Sequence, residues 1–233
     1  MHYNTTSVVE LLEDFFRQRH TRLLAASNEL ILQTTLEILW FEEGQCLAEV
    51  HLVLDSNKKH GDGRNGFVDI FASSSREIDA SYSILVLELK NVPLRYLWKA
   101  RQQTPTAEPT SQNDFEPLLG ELDNATEDQL LNLKYSFFDK NIGKYVTLRV
   151  RDTLQAAVTQ LGGYVDVISR GQGGTTAPGI ADFRVCCQNG GQDVLLGYVI
   201  ICVGGTRVIC KHTVMRPTNY SYIFTGIQTC WSC

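Results

Sequence analysis

Apolar residues recur first at helical and then at strand-like spacing along the first part of the chain. Residues 7–26 and about 28–42 place apolar side chains three and four positions apart, which predicts two amphipathic helices, the second beginning after Asn28 as its N-cap. Residues 46–55 alternate apolar and polar positions, as a half-buried strand does. The chain is therefore expected to pass from helices into a sheet.

Further alternation predicts two more strands, at 67–72 and 82–91, separated by the polar stretch 73–81, which is expected to be a hairpin loop. The later predicted elements are a helical or mixed segment at 127–146, a helix at about 153–168 capped by Asp152, and strands at about 181–188, 194–203 and 206–213, the last two joined by a hairpin at Gly204-Gly205. This order of elements predicts an α/β fold in which helices flank a mixed central sheet, with one domain over residues 1–233.

Composition narrows the class of protein. The chain has 233 residues, of which 43% are hydrophobic and 20% charged, so it can bury a core without disulfide or metal staples. Its seven cysteines are an odd number and lie mostly in apolar, strand-like segments, which argues against a disulfide framework. The first residues lack a signal-peptide pattern, and no run approaches the roughly 20 apolar residues that span a bilayer. We therefore expect an intracellular protein, cytoplasmic or nuclear, with no membrane partner.

Charge is distributed unevenly along the chain. The net charge is −5, but seven acidic residues and no basic one lie between Arg101 and Lys134, and without those seven the chain would carry +2. Much of this acidic segment, about 101–126, is also rich in proline, threonine and glutamine, and we expect it to be a mobile insertion or loop. The overall sign thus neither supports nor excludes a nucleic-acid partner.

The run "VLELKNV" places Glu88 and Lys90 on one face of a strand that is otherwise apolar. On the preceding strand Asp69 is likewise the single charge among apolar residues. If the two strands are neighbours, Asp69 and Glu88 can converge and share Mg²⁺, which suits one or two carboxylates, while Lys90 orients the attacking water. The alternative is a partly buried ion pair between Lys90 and an acid, although such pairs stabilise weakly.

The residues that precede Asp69, its lead-in, make the hypothesis more specific. Ser56-Asn57, Gly61 and Gly63-Arg64 precede Asp69, and the whole arrangement resembles the PD-(D/E)XK nuclease superfamily, in particular the branch with an "SN…G.GR…D" lead-in that is associated with AAA-ATPase-like proteins. The resemblance covers roughly residues 28–168. It implies a restriction-endonuclease-like core and a site in which Asp69 and Glu88 hold Mg²⁺, with Mn²⁺ as a substitute.

The resemblance also implies an acid on the first core helix. Glu29, Gln33 and Glu37 form a polar stripe on the predicted helix, and Glu29 matches the family position better, with Glu37 second. Glu29 would then be an additional metal ligand. A solvated helix face is the alternative interpretation of this stripe.

A second helix carries Gln160 and Tyr164 at a spacing similar to the QxxxY motif of some branches of the superfamily. Side chains four residues apart share a helix face, so the two can approach the metal site or a phosphate together. Gly162 and Gly163 cost helix stability, roughly 1 kcal/mol each relative to alanine, which suggests close packing or close approach of substrate. The alternative is an ordinary polar helix end.

Two functions remain open from the sequence. The first is a metal-dependent nuclease acting on nucleic acid, DNA rather than RNA, with Asp69, Glu88, Lys90, Glu29, Gln160 and Tyr164 as its site. The second is a catalytically weak or inactive module of the same fold that serves protein interaction or regulation, because a fold does not establish an activity. An ATPase is a possible protein partner in either case, and the oligomeric state is left open.

Overall fold

The computed structural model describes residues 12–14, 29–41, 46–58, 63–78, 81–102 and 107–225. The helices, apart from helical residues 12–14 and a 3-10 turn at Gln112–Phe115, are α1 (Glu29–Phe41), α2 (Leu94–Lys99), α3 (Glu116–Asn124), α4 (Glu127–Asn132) and α5 (Val150–Ile168). The strands are β1 (Cys46–Val53), β2 (Asn65–Ile78), β3 (Ser81–Val92), β4 (Lys134–Asp139), β5 (Lys144–Arg149), β6 (Gly179–Ile180), β7 (Val185–Asn189), β8 (Val194–Val203), β9 (Arg207–Pro217) and β10 (Tyr220–Phe224). Most of the predicted N-terminal helix, 7–26, lies outside these residues.

The fold is mixed α/β, as predicted, with a central mixed sheet flanked by helices. Six strands form the sheet in the order β6-β1-β2-β3-β8-β9, and β4–β5 and β7–β10 form two smaller sheets. Strand β1 runs antiparallel to β2 and β6, and β2 runs antiparallel to β3. The helix predicted at 28–42 and the strands predicted at 46–55 and 82–91 are confirmed within one or two residues, as far as the described residues extend.

Strand β2 is longer than its apolar run. The polar stretch 73–81 was expected to be a loop, but residues 73–78 continue the strand, and Glu77 and Ile78 pair with Tyr82 and Ser81 across a shift in register. Backbone hydrogen bonds to β3, rather than apolar side chains, extend the strand. The prediction of a loop was therefore wrong over 73–78, whereas the hairpin itself is confirmed.

The acidic segment is folded rather than looped over much of its length. Residues 112–124 form the 3-10 turn and α3, and they bury Phe115, Leu118 and Leu122. The loop was predicted from a composition rich in proline, threonine, glutamine and acids. Proline also favours the first helical turn, and Pro117 lies at the start of α3. The next segment, 127–146, is a short helix followed by most of the β4–β5 hairpin.

The helix predicted at about 153–168 begins earlier, at Val150. Asp152 is therefore not its cap but sits inside the first turn, where its carboxylate accepts a hydrogen bond from the backbone N–H of Arg149 at 3.0 Å. An acid in the first turn still satisfies an exposed backbone donor and favours the helix dipole. No helix of the described residues is long and apolar enough to cross a membrane.

The residues divide into two compact units. Unit 1 comprises residues 1–32, 89–157 and 199–211. Its core includes Leu94, Leu97 and Leu122, which surround the tight turn at Gly204, where a Cβ atom would come within 2.4 Å of the Leu122 side chain. Gly204 and Gly205 both have positive φ, 65° and 74°, so the predicted glycine hairpin between β8 and β9 is confirmed.

Unit 2 comprises residues 33–88, 158–198 and 212–233. Its core contains Phe71, which is fully buried and packs edge-on against Tyr222 and in a stack against Phe224. Strands β1 and β2 and most of β3 belong to this unit, so it contains both of the predicted carboxylate ligands on the sheet.

Candidate functional site

Asp69 and Glu88 occupy facing positions on neighbouring strands of unit 2. The pairing of β2 with β3 includes Ile70 opposite Leu87, and continuing this antiparallel register by one residue sets Asp69 opposite Glu88. Residues directly opposite in an antiparallel pair point to the same face, with Cβ atoms about 4.5–5.5 Å apart. The register therefore sets the two predicted carboxylate positions side by side.

The burial of Glu88 makes this pair of acids costly for the stability of the fold. Glu88 is fully buried and Asp69 is half-buried. A carboxylate is almost never fully buried without compensation, and like charges directly opposite each other destabilise a sheet. A bound cation would offset both costs, because two nearby carboxylates favour an added positive charge.

The metal-ligand chemistry available here is limited to a small number of carboxylates. Within the described ranges, no group of three or more His, Cys, Asp and Glu side chains lies close enough together to hold a metal ion. Mg²⁺ does not require such a cage, since it is held by one or two carboxylates and otherwise by water and substrate phosphate. Asp69 and Glu88 are of the right kind and number for that mode of binding.

Helix α5 presents Gln160 and Tyr164 on one face, as predicted. The Gln160 side-chain amide donates a hydrogen bond to the Tyr164 hydroxyl at 2.9 Å. The Tyr164 ring lies against the backbone of Gly66, where a Cβ atom would be 3.1 Å from the ring. Because Gly66 precedes Asp69 by three residues on β2, the motif packs onto the strand that carries the first carboxylate.

Of the two explanations expected for Gly162 and Gly163, close packing is not supported, and close approach of substrate stays a prediction. A Cβ atom added at Gly162 or Gly163 would meet nothing within 4 Å. Close packing of the protein therefore does not require either glycine.

Lys90 and Glu29 meet within unit 1. The Lys90 ammonium lies 3.6 Å from the Glu29 carboxylate and donates a hydrogen bond to the Leu89 carbonyl at 2.8 Å. Lys90 follows Glu88 by two positions on β3, and Glu29 is the first residue of α1. The structure therefore pairs the predicted lysine with the predicted helix acid. The metal-ligand role of Glu29 and the water-orienting role of Lys90 stay predictions.

Glu37, the second choice for the helix acid, lies in unit 2. Its carboxylate accepts a hydrogen bond from the Gln33 side chain at 3.2 Å, and Gln33 is buried. Burial, and secondarily the negative charge of Glu37, raises the pKa of the Cys46 thiol to about 12. The polar stripe on α1 is therefore partly covered at Gln33, and a fully solvated helix face does not describe it.

The lead-in residues before Asp69 contact a loop distant in sequence. The Arg64 guanidinium donates to the Thr175 carbonyl at 3.0 Å, and the Ser56 hydroxyl donates to the Thr176 carbonyl at 3.2 Å. Gly63 has a positive φ of 75°, which favours glycine. Gly61 lies outside the described residues. The lead-in thus joins the start of β2 to the 171–179 loop.

The pattern of the sequence does not mark Glu49 as a site residue. Ala48 pairs with Ile70 and Val50 with Val68, so the unchanged register places Glu49 opposite Asp69, on the side away from Glu88. Glu49 has a φ of +50°, uncommon for a residue other than glycine, and its carbonyl accepts a hydrogen bond from Arg184 at 3.3 Å. An acid within a strand was visible in the sequence, but its register with Asp69 was not.

A cleft of about 780 Å³ was also missed. It lies entirely within unit 2, and its lining includes His51, Arg64, Phe67, Asp182, Phe183 and Arg184. Phe67 shares its strand face with Asp69, two residues farther along β2. The cleft therefore adjoins the carboxylate positions on the same face of the sheet.

Comparison of the chain with protein-family models, curated proteins and solved structures finds no match. The resemblance to the nuclease superfamily thus rests on the motif residues themselves, and a restriction-endonuclease-like core stays a prediction. The function has to be argued from the chemistry of the site.

Proposed function

We propose that the protein is a metal-dependent nuclease that hydrolyses phosphodiester bonds, with DNA as the expected substrate in preference to RNA. The observation that carries the proposal is the register of β2 and β3, which sets Asp69 opposite a fully buried Glu88. Stability alone does not favour two acids at facing positions in a sheet. A cation site gives these two residues a reason to lie there.

The residues fit Mg²⁺ or Mn²⁺, because two carboxylates supply hard oxygen ligands and leave the other positions to water and phosphate. When bound, such a cation polarises a phosphoryl oxygen and makes water a better nucleophile. Asp69 and Glu88 would hold the cation, and Glu29 is the predicted additional ligand. The Lys90 ammonium, next on the strand face after Glu88, would orient the attacking water and offset the charge that develops on the phosphate.

Gln160 and Tyr164 have a supporting role in this proposal. Their mutual hydrogen bond fixes the two side chains relative to each other, and Tyr164 packs on Gly66 of β2. An amide and a phenol hydroxyl can both donate hydrogen bonds to phosphate oxygens. They would therefore position the substrate backbone rather than take part in proton transfer.

A second function, a catalytically inactive module for protein interaction or regulation, is favoured by a single observation. Lys90 is engaged with Glu29 at 3.6 Å and with the Leu89 carbonyl at 2.8 Å. A lysine committed to an ion pair stabilises the fold and is less available to a water molecule. A protein partner such as an ATPase would then be the ligand of this chain.

The deciding experiment measures cleavage of labelled DNA and RNA in Mg²⁺, in Mn²⁺ and in EDTA. We expect cleavage that requires metal and that Asp69→Asn and Lys90→Ala each reduce by at least a hundredfold, since each removes a group acting directly on the reacting phosphate. Asp123→Asn, which changes an exposed aspartate of α3, is the matched control and should cleave like the parent. Metal-dependent cleavage that survives both site substitutions would contradict the assignment.

Thermal melts separate a metal site from a structural ion pair. Asp69→Asn removes one of two facing negative charges, so in EDTA it should be as stable as the parent or slightly more stable. Metal at a hundredfold excess over its Kd should stabilise the parent by about 2.7 kcal/mol, and Asp69→Asn should lose most of that gain. If Asp69→Asn is much less stable than the parent in EDTA, and metal does not raise the melting temperature of the parent, then Asp69 is a structural partner instead.

A further inference from the structure

The cleft of unit 2 contains exposed aromatic rings. His51 and Phe67 face each other across β1 and β2 and stack with ring centroids 5.2 Å apart and planes 25° from parallel. Phe67 is 53% exposed, and Phe183, on the same cleft, is 90% exposed. A phenyl ring that is nine-tenths in water contributes almost nothing to the core. An almost fully exposed ring beside a half-exposed one on the same cleft is typical of a binding surface.

The turn that carries Phe183 is held firmly on both sides. The Asp182 carboxylate accepts hydrogen bonds from the Arg184 side chain at 2.7 and 2.9 Å and from the Arg184 backbone at 2.9 Å. The Arg184 guanidinium also donates to the Ala48 carbonyl at 2.9 Å, and the Thr225 hydroxyl donates to the Phe183 carbonyl at 2.9 Å. The backbone is thus fixed while the ring projects outward, which lowers the entropy lost when a ligand stacks on it.

Charges are ordered along the cleft. Along β2 and the residues before it, Arg64 comes first, Phe67 follows, and Asp69 lies two residues beyond Phe67 on the same strand face. Lys58 adds a second cation at the Arg64 end, because a Cβ atom on Gly63 would lie 3.9 Å from its ammonium. Asp182 is engaged by Arg184, so its carboxylate is compensated. A chain with alternating phosphates and flat rings fits this order of cation, aromatic surface and carboxylate site.

We propose that this cleft binds one unstacked base of a single-stranded nucleic acid. The base stacks on Phe183, with the Phe67–His51 pair as the second aromatic wall. The phosphate on one side of the base contacts Arg64, and the phosphate on the other side runs along β2 toward Asp69. Two strand residues cover about 6.8 Å, a distance that one extended nucleotide can bridge.

The proposal rests on the proposed function for the identity of the polymer, and it makes a single strand or an unpaired end the substrate class. Stacking tolerates any sequence because every base has a flat π face, so no base preference is expected from this site. A duplex keeps its bases stacked on one another and cannot offer one to Phe183 without unpairing. Single-stranded DNA should therefore bind more tightly than the duplex of the same sequence.

Fluorescence anisotropy with a short labelled single-stranded DNA, in EDTA so that nothing is hydrolysed, tests the cleft directly. Phe183→Ala should weaken binding about tenfold, as expected for the loss of one stacked base, and Phe183→Trp should retain it. Phe138→Ala is the matched control, because Phe138 is a half-exposed phenylalanine of unit 1, far along the chain from the cleft residues. It should bind like the parent. Phe183 is so exposed that its replacement should leave the melting temperature unchanged, which a thermal melt verifies.

An abasic scan gives the second readout. One abasic residue, moved along the oligonucleotide, should weaken binding of the parent at one position and have no further effect on Phe183→Ala, because both changes remove the same stack. Equal affinity of Phe183→Ala and the parent for the single strand would overturn the proposal, as would an equal loss on the duplex, or no binding of a single strand by the parent at low salt.

These outcomes separate the cleft from the proposed activity. A parent that shows the Phe183-dependent binding in EDTA, yet cleaves nothing in Mg²⁺ or Mn²⁺, supports the cleft and rejects the nuclease. A parent that cleaves while Phe183→Ala binds and cleaves normally supports the nuclease and rejects the cleft.

Discussion

The acidic segment of unit 1 and the β1–β3 strands of unit 2 use their acidic side chains in opposite ways. In unit 1 the acids of the acidic segment meet basic partners: Glu108 pairs with Lys99, Glu121 with Arg101, Glu127 with Lys211 and Asp128 with Arg151. In unit 2 the sheet register places Asp69 between two other acids, Glu49 and Glu88. Opposite charges are adjacent in the first case and like charges in the second.

The surroundings of an acidic residue, rather than its charge alone, indicate whether it bears on function. An acidic segment that neutralises nearby lysines and arginines is explained by the fold, so it does not argue against a polyanionic ligand elsewhere. Facing carboxylates in a sheet cost stability and favour a cation nearby. The net charge of the chain sums over both regions, so it indicates neither the paired acids of unit 1 nor the facing acids of unit 2.

The largest effect on stability should come from the buried ion pair between Arg207 and Glu13 in unit 1. The Arg207 guanidinium donates to Glu13 at 3.1 Å and to the Ala125 carbonyl at 2.9 Å, and also to the Leu122 carbonyl, with both charged side chains less than a fifth exposed. Arg207→Met leaves Glu13 buried without its cation, and we expect the free energy of unfolding to fall by about 3–5 kcal/mol. Chemical denaturation at pH 7 measures this loss.

The double variant Arg207→Met/Glu13→Gln is the control for that experiment. It removes the stranded charge, so it should recover part of the lost stability. If Arg207→Met alone costs less than about 1 kcal/mol, the pair behaves like a surface ion pair and the contrast between the units weakens.

The second effect concerns the ion pair that holds the Phe183 turn in unit 2. Hydrogen bonds from Arg184 lower the pKa of Asp182 to about 2, from an ordinary value near 3.8. Because the folded pKa is the lower one, the stabilisation is fully present above pH 4 and is lost as the pH falls from about 4 toward 2. Asp182→Asn should therefore be about 2 kcal/mol less stable than the parent at pH 6, and the gap should close by pH 2.

Urea unfolding of both proteins across this pH range measures the gap. A constant difference between the two proteins from pH 6 to pH 2 would mean that Asp182 acts through its shape and hydrogen bonds rather than its charge. Arg184→Met should reproduce the loss at pH 6, since it removes the guanidinium while retaining an unbranched side chain.

The parts of the fold that were predictable depend on local patterns. Strand β3 and helix α1 follow from the spacing of apolar residues, and the β8–β9 turn follows from two glycines that can adopt positive φ. Residues 73–78 were not predictable in this way, because their strand depends on hydrogen bonds to β3 and not on a side-chain pattern. Helix α3 was not predicted, because the acids and Pro117 around Leu118 and Leu122 led to the prediction of a loop.

The candidate site was likewise predictable only where it depends on local sequence. The sequence predicted Asp69 and Glu88 because they are charges in otherwise apolar strands, and Gln160 and Tyr164 because their spacing resembles a motif of the nuclease superfamily. It could not predict that Glu49 lies opposite Asp69, since that depends on the register of β1. Nor could it bring Phe183 to the same cleft as Phe67, because these residues are more than a hundred positions apart and only the folded chain brings them together.

The smallest effect should come from the exposed ion pairs of unit 1, and it tests whether the acidic segment opposes nucleic acid. Deleting the segment would remove the buried Leu118 and Leu122, so a loss of binding after deletion would not be informative. Glu121→Gln with Asp128→Asn changes charge alone. Both acids are more than half exposed, so each substitution should alter the free energy of unfolding by less than about 1 kcal/mol.

Each substitution also releases an arginine from its ion pair. Binding of single-stranded DNA in EDTA should therefore tighten by no more than about threefold, and only at low salt. Charges more than about 8 Å from the ligand are screened at physiological ionic strength. Asp123→Asn serves again as the control, because it removes an exposed negative charge of α3, the helix that carries Glu121. If the double variant binds tenfold or more tightly at physiological salt, the acidic segment lies beside the bound strand, and the contrast drawn between the two units is wrong.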